Sequence, residues 1–302
     1  MEQPIFIVGA GRSGTTVFFD LFTSHSSFGV FTNYDDLISG TPLRGLARRL
    51  FDNSFWQSLG RRRDYSRVSD FSSLWPRKSE AYRFWRRYAG PEFLRSYLWS
   101  QRPTPATIHD VSRKVEQLCR WQGRQRFAAK LTGPGRIGYL RAIFPDARFV
   151  HLVRDCSSQV YSTINVGFWK AGGGLEQLWW DKDIPPNMAG YLQAAEATRD
   201  PVALAAAQWR SVVESIRAEA GEFLGADEYR EVTYEAFVKD PAVCILNLWD
   251  WLGLETDSRA TARVQSFPVR KDANEQSRQT FSAEQRATLT CWAKGTVAPG
   301  GE

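Results

Sequence analysis

A short apolar run, Ile5-Phe6-Ile7-Val8, leads directly into Gly9-Ala10-Gly11-Arg12-Ser13-Gly14-Thr15-Thr16 and then into the apolar-periodic segment Val17-Phe18-Phe19-Asp20-Leu21-Phe22. No other stretch restricts the fold as much. The run reads as a buried strand of a parallel sheet, the glycines and Ser13 as a tight turn, and the rest as a helix. At such a junction unpaired backbone N–H groups and the positive end of the helix dipole point at one spot, which makes an anion cradle. Gly9 and Gly14 have the spacing of the nucleotide P-loop, but its Lys position holds Thr15 and the basic residue is Arg12, inside the loop. Without that Lys on the outer phosphates, triphosphate hydrolysis is not expected.

The strand–helix rhythm is lost over residues 30–125 and then returns. Residues 44–50, 80–88 and 113–121 read as helices between Pro42, Pro76, Pro91, Pro103 and Pro105. They are taken as a helical insertion, about 34–125, that contributes to a ligand pocket within a single domain spanning 1–302. Strands are then expected at 126–130, ending in Lys130, at 147–153, ending at Arg154, and at 229–234. Between them come helices at 138–144, from 159 to about 166 with Ser157 or Ser158 as cap, and over 201–223. Asp240 before Pro241, with Gly253 beyond, marks one more helix; Ser282 caps a last one, before a frayed tail over 294–302. Four strands alternating with helices give an α/β fold, a P-loop-like parallel sheet flanked by helices. Ligands bind such sheets at the carboxyl ends of the strands, where the glycine loop, Lys130, Arg154 and Tyr234-Glu235 all fall.

Composition narrows the classes. With 302 residues, 43% apolar and 24% charged, the chain can bury one large core. No apolar run is long enough to span a bilayer, and the first strand starts by Ile5, so the expectation is a cytoplasmic protein with no membrane span. Cys119, Cys156, Cys244 and Cys291 are far apart, and His25, His109 and His151 are the only histidines, so no metal site is expected. His25 suits capping or packing after the first helix, and His151 a core position. Net charge is +6, yet residues 44–87 hold twelve Arg and Lys against four Asp and Glu, so the remainder is slightly acidic. This excess suits a docking face for an anionic acceptor, a nucleic-acid surface, or simply the wet side of helices.

The family resemblance rests on two motifs. A loop with Arg before Ser-Gly-Thr-Thr resembles the phosphosulfate loop of the sulfotransferases that use 3′-phosphoadenosine 5′-phosphosulfate (PAPS). Val153-Arg154-Asp155-Cys156-Ser157-Ser158-Gln159-Val160-Tyr161-Ser162 resembles their strand ending in Arg with a Ser eight residues on, save that Cys156 stands where Pro is usual. The resemblance implies that Gly11, Arg12, Ser13, Gly14, Thr15 and Thr16 hold the 5′-phosphosulfate, and that Arg154 and Ser162 hold the 3′-phosphate. An Arg fork suits a phosphate's oxygens. Residues 232–241 are similar to the family's fourth-strand segment, with Tyr234 either near the adenine or in the core. Arg270-Lys271 resembles a late basic pair that closes over the 3′-phosphate, although Asp272 replaces the usual Gly.

Sulfuryl transfer runs in line, with positioning and charge stabilisation dominant. Lys130 resembles the family's Lys at the bridging oxygen, with Arg12 assisting from the loop; a strand-end lysine without a role is the plain alternative. Many members carry a His two residues after that Lys, where this chain has Thr132; others use an acidic residue after the first helix. Asp35 or Asp36 is therefore the expected general base, with His109 in reserve, and both aspartates also suit caps of a helix starting at Leu37. Tyr34, Phe168, Trp169, Trp179 and Trp180 suit stacking on an acceptor ring or burial in the core. The expected function is sulfuryl transfer from PAPS to a hydroxyl or amine of a small-molecule, glycan or lipid acceptor, with no metal and no nucleic-acid partner. A P-loop-type kinase, a polyanion-binding protein and a sulfotransferase relative that binds PAPS without turnover are the competing readings.

Overall fold

The run Ile5–Val8 is wholly buried because a strand with sheet neighbours on both sides and helices on both faces has no edge or face left to water. It lies in β1 (Glu2–Gly9) of a computed structural model that describes residues 2–33, 35, 77–267 and 280–296. The chain continues as α1 (Thr15–Phe22), β2 (Phe28–Val30), α2 (Tyr82–Tyr88), a 3-10 turn (Pro91–Leu94), α3 (Pro105–Gln122), β3 (Arg126–Thr132), α4 (Ile137–Ile143), β4 (Arg148–Val153) and α5 (Cys156–Ile164). Then follow α6 (Gly167–Ala171), α7 (Pro186–Ala197), α8 (Pro201–Phe223), β5 (Tyr229–Thr233), α9 (Tyr234–Lys239), α10 (Pro241–Trp251), α11 (Ser258–Gln265) and α12 (Ala283–Ala293). The expectations for Tyr34, Asp36, a helix over 44–50, most of the basic segment, Arg270-Lys271 and the tail beyond 296 lie outside the described residues.

The sheet is parallel throughout, in the order β2-β3-β1-β4-β5. It has five strands rather than the expected four. The extra one, Phe28–Val30, is a three-residue edge strand, too short to show a period in the sequence. From β1 the chain runs to one side through β2 and β3, then crosses to the other through β4 and β5. The order reverses beside β1, so the loops after β1 and β4 open a crevice between them.

Alternate residues feed two cores. Phe6, Val8, Phe127, Ala129, Phe149 and Val153 meet Trp209, Val212 and Ile216 of α8 on one face. Ile5, Ile7, Ala128, Val150 and Leu152 meet Phe18 and Phe22 of α1 and Ile245, Leu248 and Trp249 of α10 on the other. Stacking of Phe6 on Phe149, at 5.5 Å between centroids, ties β1 to β4.

Helix ends follow local chemistry. Thr104 accepts from Thr107 N and Pro105 occupies the first turn, so α3 begins eight residues before the expected 113. The cap of α5 is Asp155, not Ser157 or Ser158, because its carboxylate accepts from Ser158 N at 2.9 Å. Asp240 caps α10, Gly253 follows it with φ +64°, and Ser282 caps α12, its Oγ accepting from Gln285 N while its own N–H donates to Gln285 Oε1. Helices α6 and α7 were not expected; the second has a weakly amphipathic sequence, with Met188, Leu192 and Ala195 as its buried stripe.

His25 packs in the turn after α1. Its Nε2 lies 2.8 Å from Glu255 O and its ring meets Trp249 edge-on. His151 is fully buried in β4, with Nδ1 2.7 Å from Tyr229 Oη, while Nε2 has no partner among the described residues. Burial holds its pKa below the ordinary value, against the pull of Glu231. All four cysteines are free; Cys119 and Cys156 are buried and Cys291 is exposed.

Candidate active site

The glycine loop depends on two close approaches. A Cβ on Gly9 would stand 2.4 Å from Leu152 O, and one on Gly14 would stand 2.3 Å from the Tyr234 ring. Gly14 also has φ +81°, the left-handed conformation that turns the chain into α1. Arg12 shares that conformation, with φ +69°, although it is not glycine. Such a residue is held only where its surroundings fix it. Two side chains do so: Gln159 Nε2 donates to Gly11 O at 2.6 Å, and Arg154 Nη1 donates to Arg12 O at 3.0 Å.

Arg154 is therefore part of the loop's support. It is buried, its guanidinium lies 4.6 Å above the centre of the Tyr234 ring, and its own carbonyl accepts from Trp209 Nε1. Arg12 Nε donates to Ser162 Oγ at 3.0 Å, so the loop, the end of β4 and α5 meet at one point. Thr15 is buried, Thr16 faces out, and Ser13 is wholly buried with an Oγ that has no partner among the described residues. A buried hydroxyl costs free energy unless it is bonded.

On the other side of the loop Lys130 is buried within β3, which runs two residues past it to Thr132 instead of ending there as expected, because pairing with β1 continues to Gly9 against Thr132. Its Nζ donates to Thr16 Oγ1 at 2.9 Å and to Glu80 Oε1 at 2.8 Å. Glu80 precedes α2 and also accepts from Thr132 Oγ1 at 2.9 Å and from Tyr82 Oη at 2.5 Å. Burial pushes the Glu80 carboxyl up, but the Lys130 charge and the bonds from Lys130, Tyr82 and Thr132 outweigh it and hold the group below the usual carboxylate range. The Tyr82 phenol is raised, first by burial and then by the Glu80 charge, while the residue as a whole is 48% exposed.

Glu80, Tyr82 and Gln159 were not among the sequence candidates. Glu80 is fifty residues from Lys130 and lies in a segment without a motif, so only the fold brings them together. Asp35 is buried and its Oδ2 accepts from Thr32 N at 2.6 Å and Thr32 Oγ1 at 3.0 Å, which closes the turn after β2. His109 is exposed on α3. Trp169 and Trp180 are buried, Trp179 stacks on Trp169 at 4.7 Å, and a Cβ on Gly133 would meet Trp180, so these rings are mainly core. Phe168 is 59% exposed. Among the described residues no three His, Cys, Asp or Glu come together as a metal site, and no helix is long and apolar enough to cross a membrane.

Comparison with known proteins agrees with this fold. The fold is similar to that of sulfotransferase STF9 from Mycobacterium avium, at 16% identity, with a TM-score of 0.59 over 97% of this chain and 75% of that one. It is similar to sulfotransferase STF1 from Mycobacterium tuberculosis, also at 16% identity, with a TM-score of 0.54 over 98% and 77%. The sulfotransferase domain from the curacin biosynthetic pathway, 13% identical, gives 0.51 over 97% and 98%. At these identities the likeness speaks for the fold. No curated protein matches the sequence. Residues 4–258 match the sequence pattern described as the sulfotransferase family, and a match over that much of the chain establishes that it belongs to this family.

Proposed function

We propose that this chain transfers the sulfuryl group of PAPS to a hydroxyl or amine of an acceptor, with Glu80 as general base. The observation that carries the proposal is the position of Lys130. One ammonium touches a hydroxyl of the anion-binding loop and a buried carboxylate, at 2.9 and 2.8 Å. A leaving-group cation and a proton acceptor therefore sit side by side at the edge of the loop, and in-line transfer uses both, one on each side of the sulfur.

The residues present fit PAPS. The unpartnered Ser13 hydroxyl, the N-terminus of α1 and the side chains of Arg12, Thr15 and Thr16 suit the 5′-phosphosulfate, with Gly11 and Gly14 letting it approach. Arg154 and Ser162 suit the 3′-phosphate, and Tyr234 lies beside them under Arg154. Thr132 occupies the position where many relatives carry a basic His, and the Glu80 carboxylate is bonded to it, so Glu80 takes over that place.

In the reaction the acceptor's O–H (or N–H) proton passes to Glu80 as the acceptor atom bonds to sulfur. The bond from sulfur to the 5′-phosphate oxygen breaks, and its electron pair stays on that oxygen, facing Lys130. Lys130 turns from Glu80 toward this growing charge. Glu80 then loses the partner that most lowers its pKa and becomes a stronger base as the proton moves.

Calorimetry with 3′-phosphoadenosine 5′-phosphate (PAP), beside ATP with magnesium, tests the donor. Wild type is expected to bind PAP at micromolar levels and ATP far more weakly, with PAP binding lost in Arg154→Ala. Lack of PAP binding overturns the PAPS reading. Glu80→Gln is expected to keep PAP affinity within a few-fold while slowing transfer by ~10²–10³, the scale for one transition-state group; an unchanged rate removes Glu80 as the base.

A further inference from the structure

We infer that the acceptor carries a fixed negative charge within about one helical turn of its reacting hydroxyl, and that Arg86 with Arg87 on α2 receives it. The inference rests on the sulfotransferase reading above and names the acceptor's chemical class.

Helix α2 starts at the catalytic carboxylate. Tyr82, its first residue, donates to Glu80 and is exposed. Its inner side is fixed by Phe84 and Trp85, which pack on Phe31 and Phe93. Its outer side therefore holds Tyr82, Arg83, Arg86 and Arg87, all exposed, of which Arg83 is already engaged. Arg86 is four residues after Tyr82 and shares its face, roughly 6 Å further along the axis. A helical side chain leans toward the turn before its own, which sets Arg86 on the Tyr82 side of the helix. Arg87 lies 5.6 Å from the centre of the Tyr88 ring, and Lys114 of α3 comes to 5.9 Å of the same ring, which extends the positive strip.

Nearby acids are engaged elsewhere. Glu80 pairs with Lys130, Glu92 with Lys182 and Asp110 with Arg113. Among the described residues Arg86 has neither an ion pair nor a side-chain hydrogen bond. Basic residues in a last turn also complement a helix dipole. That accounts for a cation there, but not for a strip that continues from the base and whose described acidic neighbours, Glu80 and Asp110, are already paired. A guanidinium fork suits a carboxylate, sulfate or phosphate, and its charge raises the encounter rate of such an acceptor.

The test uses PAP-saturated protein and three hydroxy acids, 4-hydroxyphenylacetate, glucuronate and 6-hydroxyhexanoate, each paired with its neutral amide. Titration calorimetry is run on wild type and on the double variant Arg86→Gln/Arg87→Gln. At least one acid should bind about tenfold more tightly than its amide at low salt. The preference should shrink at 0.5 M NaCl and vanish in the double variant, with PAP affinity unchanged in both proteins. The inference is overturned if no acid exceeds its amide, or if the preference survives in the double variant. Failure of PAP itself to bind wild type counts against the PAPS reading instead, so the two failures are distinct.

Discussion

At the residue scale, the loop shows how one glycine is fixed by two independent demands. Gly14 needs a left-handed φ, and its missing Cβ leaves room for Tyr234. Gly14→Ala meets both obstacles and should abolish PAP binding in calorimetry. Adding Tyr234→Ala removes the clash but leaves the strained φ, so the double variant should recover PAP binding only in part. Full recovery would mean that crowding alone fixes this glycine. Arg12 bears the same conformation with a side chain, and the bonds from Arg154 and Gln159 to successive loop carbonyls explain how. Arg154 thus supports the loop's backbone whether or not it also holds a phosphate. The sequence made Arg154 legible through its strand-end motif, while Gln159, five residues on, carries no mark that separates it from any helical glutamine.

At the scale of elements, α5 positions both Gln159 and Ser162, and its start depends on Asp155. That carboxylate accepts from the backbone N–H and the hydroxyl of Ser158 at 2.9 and 2.8 Å. Asp155→Ala should cost about 1 kcal/mol of stability, the usual value of such a cap, measurable by urea denaturation. A second element-scale device joins α8 to α4. Glu219 projects from α8 into the interior and accepts from Gly138 N at 3.2 Å. Burial raises its pKa to about 7 against bonds from the start of α4 and the charge of buried Arg136. Its folded pKa lies above its unfolded one, so the native state binds the extra proton between about pH 4.5 and 7. The group's contribution to stability is then full in acid and declines as pH rises through that window, by up to about 3 kcal/mol. Glu219→Gln should flatten this decline, so the variant gains on wild type from pH 5 to pH 8 in thermal unfolding. A constant difference across that range would show that Glu219 ionises normally.

At the scale of the whole molecule, a five-stranded parallel sheet turns separate sequence signals into one crevice. The loop after β1 and the end of β4 meet because the strand order reverses beside β1, and β3 brings Lys130 to the same edge. The two cores need this sheet to be covered on both faces, by α8 on one and by α1 and α10 on the other. That covering leaves the carboxyl edge as the place where polar side chains gather. The family match over residues 4–258 includes every part of this crevice.

The sequence alone determined what is local and periodic. The apolar run before Gly9, the strand ending at Arg154 and the caps at Asp240 and Ser282 all register within a few residues of chain, because a strand, a turn or a cap is specified by its neighbours. The α/β class and the sulfotransferase family followed from that alternation and from two short motifs. Tertiary structure decided what depends on distance in space. It put Glu80 against Lys130 across fifty residues, engaged Asp35 with Thr32 in a turn, and made Asp155 the cap in place of the serines after it. It added the edge strand Phe28–Val30, which only its pairing with β3 defines. A buried ion pair leaves no periodic trace, since its two charges are ordinary residues until folding removes the water between them.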